Sequence, residues 1–286
     1  MQHPIRQFQL AKQTLAIIKQ NRRLLIFPIL SNLIGIAIFA IAAVPLYKIE
    51  TIAAKTNHLD SKTIIIFICI LALLFPVMHF FNLLFNTALT LCVNKKLQGE
   101  EYTLLEGFKA PINFLATIFL WNSLMTTVGC AVCIVEYWSD NWPKSKIATQ
   151  WLSGLTWLTA TYFILPVLLF ENHNCILSVK RSAKLIKKQW GNVLVSQINM
   201  RINTMGIHIL SLIPALIAFL IGGKIIILIG SALTVASFII IFAMNTMLSI
   251  ILCNALYLFS NGNDLSRFYN IELLKNAFRK RATKTR

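Results

Sequence analysis

The feature that most constrains this chain is a set of long apolar runs without charge. The run Leu24–Tyr47 has 24 residues and no charged side chain, and about 18 such residues are enough to cross the hydrocarbon core of a bilayer. Only 13% of the chain is charged and 57% is hydrophobic, whereas a soluble domain has about 25% charged residues. Because a helix satisfies its own backbone hydrogen bonds in lipid, the sequence predicts an all-α, polytopic transmembrane helical bundle.

Six apolar segments are predicted to span the membrane. They are Leu24–Tyr47, Thr63–Val93, Leu115–Val135, Trp151–Phe170, Ile202–Leu220 and Ile225–Phe259. The second and the sixth are longer than the roughly 20 residues that a span needs, so we expect them to tilt, break or project from the bilayer. Pro76 can kink the second span, because proline removes a backbone donor.

The basic residues predict the orientation. With the N-terminus inside, 21 of the 27 Lys and Arg residues fall in cytoplasmic segments, so the positive-inside rule predicts that both termini are cytoplasmic. We interpret the net charge of +17 as a topology signal and as contact with anionic lipid headgroups. Nucleic acid is not an expected partner, because no recognised binding module accompanies the charge. The expected location is a bacterial inner membrane.

Three cytoplasmic segments combine apolar residues at helical spacing with basic neighbours. The apolar stripes are Ile5, Phe8, Ala11, Leu15 and Ile18; Ile176, Val179, Ala183, Ile186, Trp190 and Val193; and Phe268, Ile271, Leu274 and Phe278. The candidate headgroup or partner contacts beside the second stripe are Lys180, Arg181, Lys184, Lys187 and Lys188. Such helices normally lie in the headgroup plane. The stripes can equally pack on the ends of the spanning helices, and both arrangements can hold together.

The order of one surface helix and two spans occurs three times, which indicates a repeat within one integral membrane domain, 1–286. Its parts are an amphipathic helix (1–23), the six-span bundle (24–259) and a basic tail (260–286). A weak sequence echo supports repetition. Its two copies are Asn86, Ala88-Leu89-Thr90-Leu91, Gly99, Leu104 and Phe108; and Asn254, Ala255-Leu256-Tyr257-Leu258, Gly262, Leu274 and Phe278.

Three short motifs resemble those of a known group of proteins. They are Leu24-Leu25-Ile26-Phe27-Pro28-Ile29-Leu30-Ser31; Ser178-Val-Lys-Arg-Ser182 with Trp190-Gly191; and Ala255-Leu256-Tyr257 with Gly262 and Ala277-Phe278. The chain resembles an uncharacterised family of six-helix membrane proteins of bacteria and archaea. That family is similar to the membrane domain found beside some glycerophosphodiester phosphodiesterases. The resemblance implies a fold and a topology, but no activity and no catalytic residue.

Ionisable and polar side chains inside a membrane are costly and often functional. His79, Asn82 and Asn86 share one face of the second span, and Asn245 and Asn254 belong to a looser polar stripe in the sixth. These five residues could line a polar path or binding cleft. The simpler interpretation is hydrogen bonding between helices, worth roughly 0.6 kcal/mol for each bond.

The sequence predicts no enzyme. It has no recognisable Ser-His-Asp arrangement and no glycine loop for phosphate, and its few carboxylates are not paired for hydrolysis. Glu171, His173 and Cys175 lie close together in the sequence, but no further ligands accompany them, so no metal and no cofactor are expected. The favoured hypothesis is a non-enzymatic membrane protein that organises lipid or a protein partner through its basic surface helices. The alternative is a permease for a small apolar or lipid-like solute, and a subunit of a larger protein complex is a third class.

Overall fold

The structure, a computed structural model, describes residues 2–56, 61–139, 160–171, 173–190, 209 and 211–275. Every regular element within them is helical, which confirms the predicted all-α class. The α-helices are α1 (Gln2–Gln20), α2 (Ile26–Thr56), α3 (Ser61–Leu97), α4 (Leu104–Lys109), α5 (Leu115–Ser139), α6 (Ile164–Phe170), α7 (Cys175–Trp190), α8 (Ile213–Ile221), α9 (Lys224–Ser260) and α10 (Ile271–Lys275). Short 3-10 helices at Arg22–Leu25 and Ala110–Phe114 lead into α2 and α5.

Four stretches of the described chain are long and apolar enough to cross a membrane. They are Arg22–Pro45, Ala72–Leu97, Leu104–Gly129 and Lys224–Ser260, and they overlap the predicted first, second, third and sixth spans. The predicted fourth and fifth spans begin at 151–159 and 202–208, outside the described residues, and α6 and α8 are parts of them. The protein is therefore a membrane protein by the length and composition of its helices, and the count of six spans stays a prediction.

The exposed surface of these helices is strongly apolar. Ile41 is 74% exposed on α2, and Phe219 and Leu220 are 72% and 76% exposed on α8. Soluble proteins seldom expose apolar patches of more than a few hundred Å². This surface therefore requires a hydrocarbon solvent.

Helices α3 and α9 have 37 residues each, which at 1.5 Å per residue makes them about 55 Å long. This length exceeds the roughly 30 Å of a hydrocarbon core. In both helices the C-terminal part is buried, from Leu83 in α3 and from Ala243 in α9, while much of the preceding part is exposed. The excess length therefore enters a packed region at one end of the bundle, which we call the packed end.

The packed end brings together the segments that the charge pattern assigns to the cytoplasm. Helices α1 and α7 pack on α9, and α1 also contacts α10. Helix α4 lies on α3 through Gly107, where an added Cβ would be 2.5 Å from Phe27 Cζ and 2.6 Å from Cys92 Sγ. The largest side chains fully buried in this core are Leu10, Leu24, Phe27, Leu89, Phe163, Leu185, Met247, Ile251, Leu256 and Tyr269.

The buried face of α1 differs from the predicted stripe. Leu10, Thr14 and Ile17 are buried together with Ile18, whereas Ala11 and Leu15 are only half-buried. Ile18 is buried as the stripe predicts, the positions of Ala11 and Leu15 in the stripe are wrong by about one residue of rotation, and the side chains of Ile5 and Phe8 lie outside what the structure describes. The cause is tertiary, because α9 and α10 contact the side of α1 that carries Thr14, whose hydroxyl lies 2.9 Å from the hydroxyl of Tyr269.

The second and third stripes also need correction. On α7 the buried residues are Ser178, Ser182, Leu185 and Ile186, while Ile176 is 64% exposed. Ser182 faces inward because its Oγ accepts the backbone N–H of Phe163, 3.0 Å away at the start of α6. Near the C-terminus Phe268 lies in a turn that precedes α10, and Phe278 is outside the described residues.

The two copies of the sequence echo end their helices in the same way. Gly99 and Gly262 have φ values of 86° and 90°, which glycine adopts without strain. Glu100 N–H donates to Lys95 O at 2.9 Å, and Asn263 N–H donates to Leu258 O at 3.1 Å. Both bonds are the six-residue closure of a glycine C-cap. The caps are alike, and the threefold repeat itself stays a prediction.

Helices α8 and α9 form a tight hairpin around Gly222 and Gly223. At Gly230 an added Cβ would collide with Ala218 Cβ and would lie 2.8 Å from Pro214 O. One turn further, the hydroxyl of Thr234 accepts the N–H of Ala215 at 3.0 Å, a first-turn donor that α8 itself leaves unpaired. Small residues on α9 therefore let the two backbones approach closely.

Candidate functional site

A cleft of about 490 Å³ opens between α2, α3 and α9. Pockets for small ligands usually have about 300–1,000 Å³. The lining residues are Ser31, Asn32, Gly35, Ile36, Phe39, Phe75, Met78, His79, Asn82, Phe238, Ile239 and Phe242. Phe39 and Phe75 are 56% and 64% exposed, so the cleft opens sideways to the surface that faces lipid. We call it the lateral cleft.

Polar side chains from two helices form one wall of the lateral cleft. Asn82 Nδ2 donates to Ser31 Oγ at 3.3 Å, which joins α3 to α2. Asn82 Oδ1 accepts from Asn86 Nδ2 at 2.7 Å, one turn further along α3. Asn32, also on α2, has its Nδ2 3.5 Å from the carbonyl oxygen of Ile239 in α9. The cleft is thus apolar with a polar strip on α2 and α3.

His79 connects the lateral cleft to α5. Its Nδ1 lies 2.6 Å from Asn122 Oδ1, and Asn122 Nδ2 donates to the carbonyl oxygen of Pro76 at 3.1 Å. The Pro76 oxygen can only accept, so it fixes the orientation of the amide of Asn122. Asn122 Oδ1 is then the acceptor, and the ring of His79 donates from Nδ1.

The structure brings together three of the five predicted polar residues. His79 and Asn82 line the lateral cleft, and Asn86 is bonded to Asn82. Asn245 is not among its lining residues, and Asn254 is buried at the packed end, where its Nδ2 donates to Ile250 O in its own helix. Asn245 and Asn254 of α9 therefore do not line this cleft.

Sequence reasoning missed Ser31, Asn32 and Asn122. Each is a polar residue inside an otherwise apolar run, which is the only signal that could have drawn attention to it. The partners lie 51, 207 and 43 residues away, and local spacing carries no information about contacts of that kind.

Four lysines on α7 form a second candidate surface, the lysine face: Lys180, Lys184, Lys187 and Lys188. All four are exposed, and none takes part in an ion pair among the described residues. The spacing of four, three and one residues puts them on one side of the helix. The opposite side is buried in the packed end, so the charges are held in a fixed direction.

Arg181 occupies a different position from the other predicted basic contacts. Its Nε donates to Glu171 Oε2 at 2.6 Å, and Glu171 Oε1 accepts from the hydroxyl of Tyr257 at 3.2 Å. His173 Nε2 lies 3.4 Å from the same carboxylate. The side chain of Glu171 is only 16% exposed. This cluster joins α6, α7 and the end of α9, so Arg181 anchors the helix that carries the lysine face.

A buried hydroxyl pair holds α1 to the C-terminal segment. Thr14 Oγ1 donates to Leu10 O at 2.8 Å, so the hydroxyl of Tyr269 is the donor to Thr14. Burial raises the pKa of Tyr269 above its ordinary value, which keeps this hydroxyl protonated. The contact is structural, because both side chains are at most 2% exposed.

Comparison with known proteins places the chain in an uncharacterised group. The model of a family of unknown function, DUF6159, matches residues 64–265, which is more than half of the chain. No curated protein and no solved structure matches it.

Proposed function

The chain belongs to the DUF6159 family of unknown function, and we propose that it is a non-enzymatic membrane protein that organises anionic lipid. In this proposal the chain spans the membrane six times, with the packed end and both termini in the cytoplasm. The membrane is the inner membrane of a bacterium. A relation to the membrane domain found beside glycerophosphodiester phosphodiesterases remains part of the proposal.

The observation that carries the proposal is the lysine face. Basic residues near an anionic membrane surface contribute about 1 kcal/mol each, and the four lysines of α7 point the same way without partners among the described residues. Ile176 and Leu177, at the start of α7, are 64% and 48% exposed. An exposed apolar end beside fixed positive charge suits the boundary between headgroups and acyl chains.

The anchoring of α7 supports a role in ordering lipid. A flexible basic tail attracts anionic lipid without fixing its position. Helix α7 is held by the Glu171–Arg181 pair and by the buried residues Ser182, Leu185 and Ile186. The lysines therefore present charge at fixed positions relative to the spanning helices.

Native mass spectrometry tests the proposal on protein gently extracted from its own membrane. We expect the wild type to retain anionic phospholipids and the triple variant Lys184→Gln, Lys187→Gln, Lys188→Gln to lose them. The matched control replaces the same three residues by Arg and should retain the lipid, because it keeps the charge. Equal lipid retention by the Gln and wild-type proteins, or a protein partner in place of lipid, would contradict the proposal.

A permease for a lipid-like solute is the second candidate, and the lateral cleft is the observation that favours it. Its polar strip lies inside the apolar bundle and opens to the lipid side. Uptake of an apolar solute into vesicles by the purified protein distinguishes the two functions, because a lipid-organising protein moves no solute.

A further inference from the structure

We propose that the lateral cleft binds a single-chain membrane amphiphile with an uncharged, hydroxyl-bearing head. The inference rests on the shape of the cleft and on its hydrogen-bonding atoms, and it does not depend on the lysine face. The hydrocarbon chain of the ligand lies against the apolar walls. Its hydroxyl group meets the polar strip of α3.

The shape suits a ligand that enters from the bilayer. Gly35 keeps the α2 wall open, and an added Cβ there would be 3.5 Å from Met78 Cε. Phe39, Phe75 and Phe238 offer aromatic surface at exposed positions. A hydrocarbon chain can therefore leave the lipid phase for the lateral cleft without entering water.

An acceptor is left over beside the cleft, on the ring of His79. Since His79 donates from Nδ1 to Asn122, a neutral ring carries its lone pair on Nε2, and Nε2 has no partner among the described residues. Asn82 Nδ2 carries two N–H groups and donates one of them to Ser31. Asn82 already uses its oxygen for Asn86. A ligand that fits these atoms must bring a donor for Nε2 of His79, and it can accept from Asn82 Nδ2.

Charge selects among the donors. None of the lining residues is an acid, a lysine or an arginine. An ammonium head would lie in the membrane without a carboxylate, and a phosphate or carboxylate head would lie there without a cation. Both are costly in a medium of low dielectric constant. A hydroxyl group supplies a donor and carries no charge, so it is the head group that the cleft favours.

Photolabelling of the full-length protein in phosphatidylcholine nanodiscs tests the inference. The probe is a long-chain alcohol with a diazirine in its chain, and its competitors are oleyl alcohol and oleyl methyl ether, which differ in the hydroxyl hydrogen. We expect labels on peptides of α2, α3 and α9 around the cleft. Oleyl alcohol should compete at a concentration about tenfold lower than the ether, which corresponds to about 1.4 kcal/mol.

Two glycine variants locate the site. Gly35→Leu fills the lateral cleft and should abolish the labelling of these peptides. Gly129→Leu is the matched control and should label like the wild type, because an added Cβ at Gly129 meets no atom within 4 Å. Equal competition by the alcohol and the ether in the wild type would overturn the inference without any variant. Unchanged labelling of Gly35→Leu would overturn it as well.

The same experiment separates this inference from the proposed function. The triple variant Lys184→Gln, Lys187→Gln, Lys188→Gln should keep its full labelling, because the lysine face is not part of the lateral cleft. Loss of labelling in this variant would contradict the independence of the two sites.

Discussion

Nδ1 of His79 and Oδ1 of Asn122 lie 2.6 Å apart and join α3 to α5 within the apolar part of the bundle. Asn122 is 5% exposed. Its Nδ2 donates to the carbonyl oxygen of Pro76, so the amide makes two bonds to α3, one through each of its polar atoms. No water in the hydrocarbon core can replace these bonds.

We expect Asn122→Ala to destabilise the protein by about 1 kcal/mol, since hydrogen bonds in membrane proteins contribute about 0.6 kcal/mol each. The free energy of unfolding in detergent measures the change. Ser123→Ala is the neighbouring control, because the hydroxyl of Ser123 donates within its own helix, to Phe119 O. Equal free energies of unfolding for the two variants would rule out a bridge from Asn122 to α3.

How much the sequence predicts depends on whether a signal is local. The long helices α2, α3, α5 and α9 follow from uncharged runs, because such a run has no other favourable solvent. The buried face of α1 does not follow, since Leu10 and Ile17 form an apolar row next to the predicted one, and contacts with α9 and α10 decide between them.

The candidate site divides in the same way. The i+3 and i+4 spacings within α3 predict that His79, Asn82 and Asn86 lie together. Asn122 and Ser31 belong to other helices, and only the packing of α3 against α5 and α2 brings them to His79 and Asn82.

The close approach of α8 and α9 predicts a strong effect of one methyl group. Gly230→Ala should destabilise the protein by about 1–3 kcal/mol, the usual range for overpacking, because the new Cβ meets Ala218 and the backbone of Pro214. A lower melting temperature in detergent is the expected result.

Gly129→Ala is the control for this glycine variant. An added Cβ there meets nothing within 4 Å, and alanine favours a helix by up to about 1 kcal/mol over glycine. Its melting temperature should stay the same or rise. Shifts of the same sign and size at both glycines would show that Gly230 does not set the distance between α8 and α9.

The ion pair between Glu171 and Arg181 predicts that the stability of α7 in the packed end depends on the guanidinium group of Arg181. Arg181→Gln should destabilise the packed end by about 1.5–3 kcal/mol, the range for a hydrogen bond to a charged group, because the mostly buried Glu171 loses its closest donor. Faster amide hydrogen exchange in α7 is the measurement. Lys180→Gln is the control, because it removes an exposed neighbouring charge and should leave amide exchange in α7 unchanged. Equal protection of α7 in the Arg181→Gln and Lys180→Gln variants would contradict the anchoring role of Arg181.

The buried hydroxyl of Tyr269 predicts a pH dependence of stability. Burial raises the folded-state pKa above the unfolded value of about 10. The contribution of Tyr269 to the free energy of unfolding is therefore fully present below a pH of about 10. It is lost as the pH rises further, because Tyr269 loses its proton at a lower pH in the unfolded state than in the folded state. Tyr269→Phe should cost about 0.5–1.5 kcal/mol at neutral pH and less in alkaline solution. Denaturant titrations at neutral and alkaline pH measure both values, and a cost that does not change with pH would contradict this assignment.

The lysine face is the centre of the account, and electron paramagnetic resonance of spin-labelled lipids tests it most directly. The protein is reconstituted in phosphatidylcholine bilayers with a trace of labelled phosphatidylglycerol, and the fraction of immobilised label is measured against labelled phosphatidylcholine. We expect the wild type to prefer phosphatidylglycerol, and we expect added salt to weaken this preference. The Lys184→Gln, Lys187→Gln, Lys188→Gln variant should lose the preference, and the matching Arg variant should keep it. Two results would contradict this role of the lysine face. One is an equal immobilised fraction for the two lipids in the wild type. The other is an equal immobilised fraction of phosphatidylglycerol in the wild type and in the Gln variant.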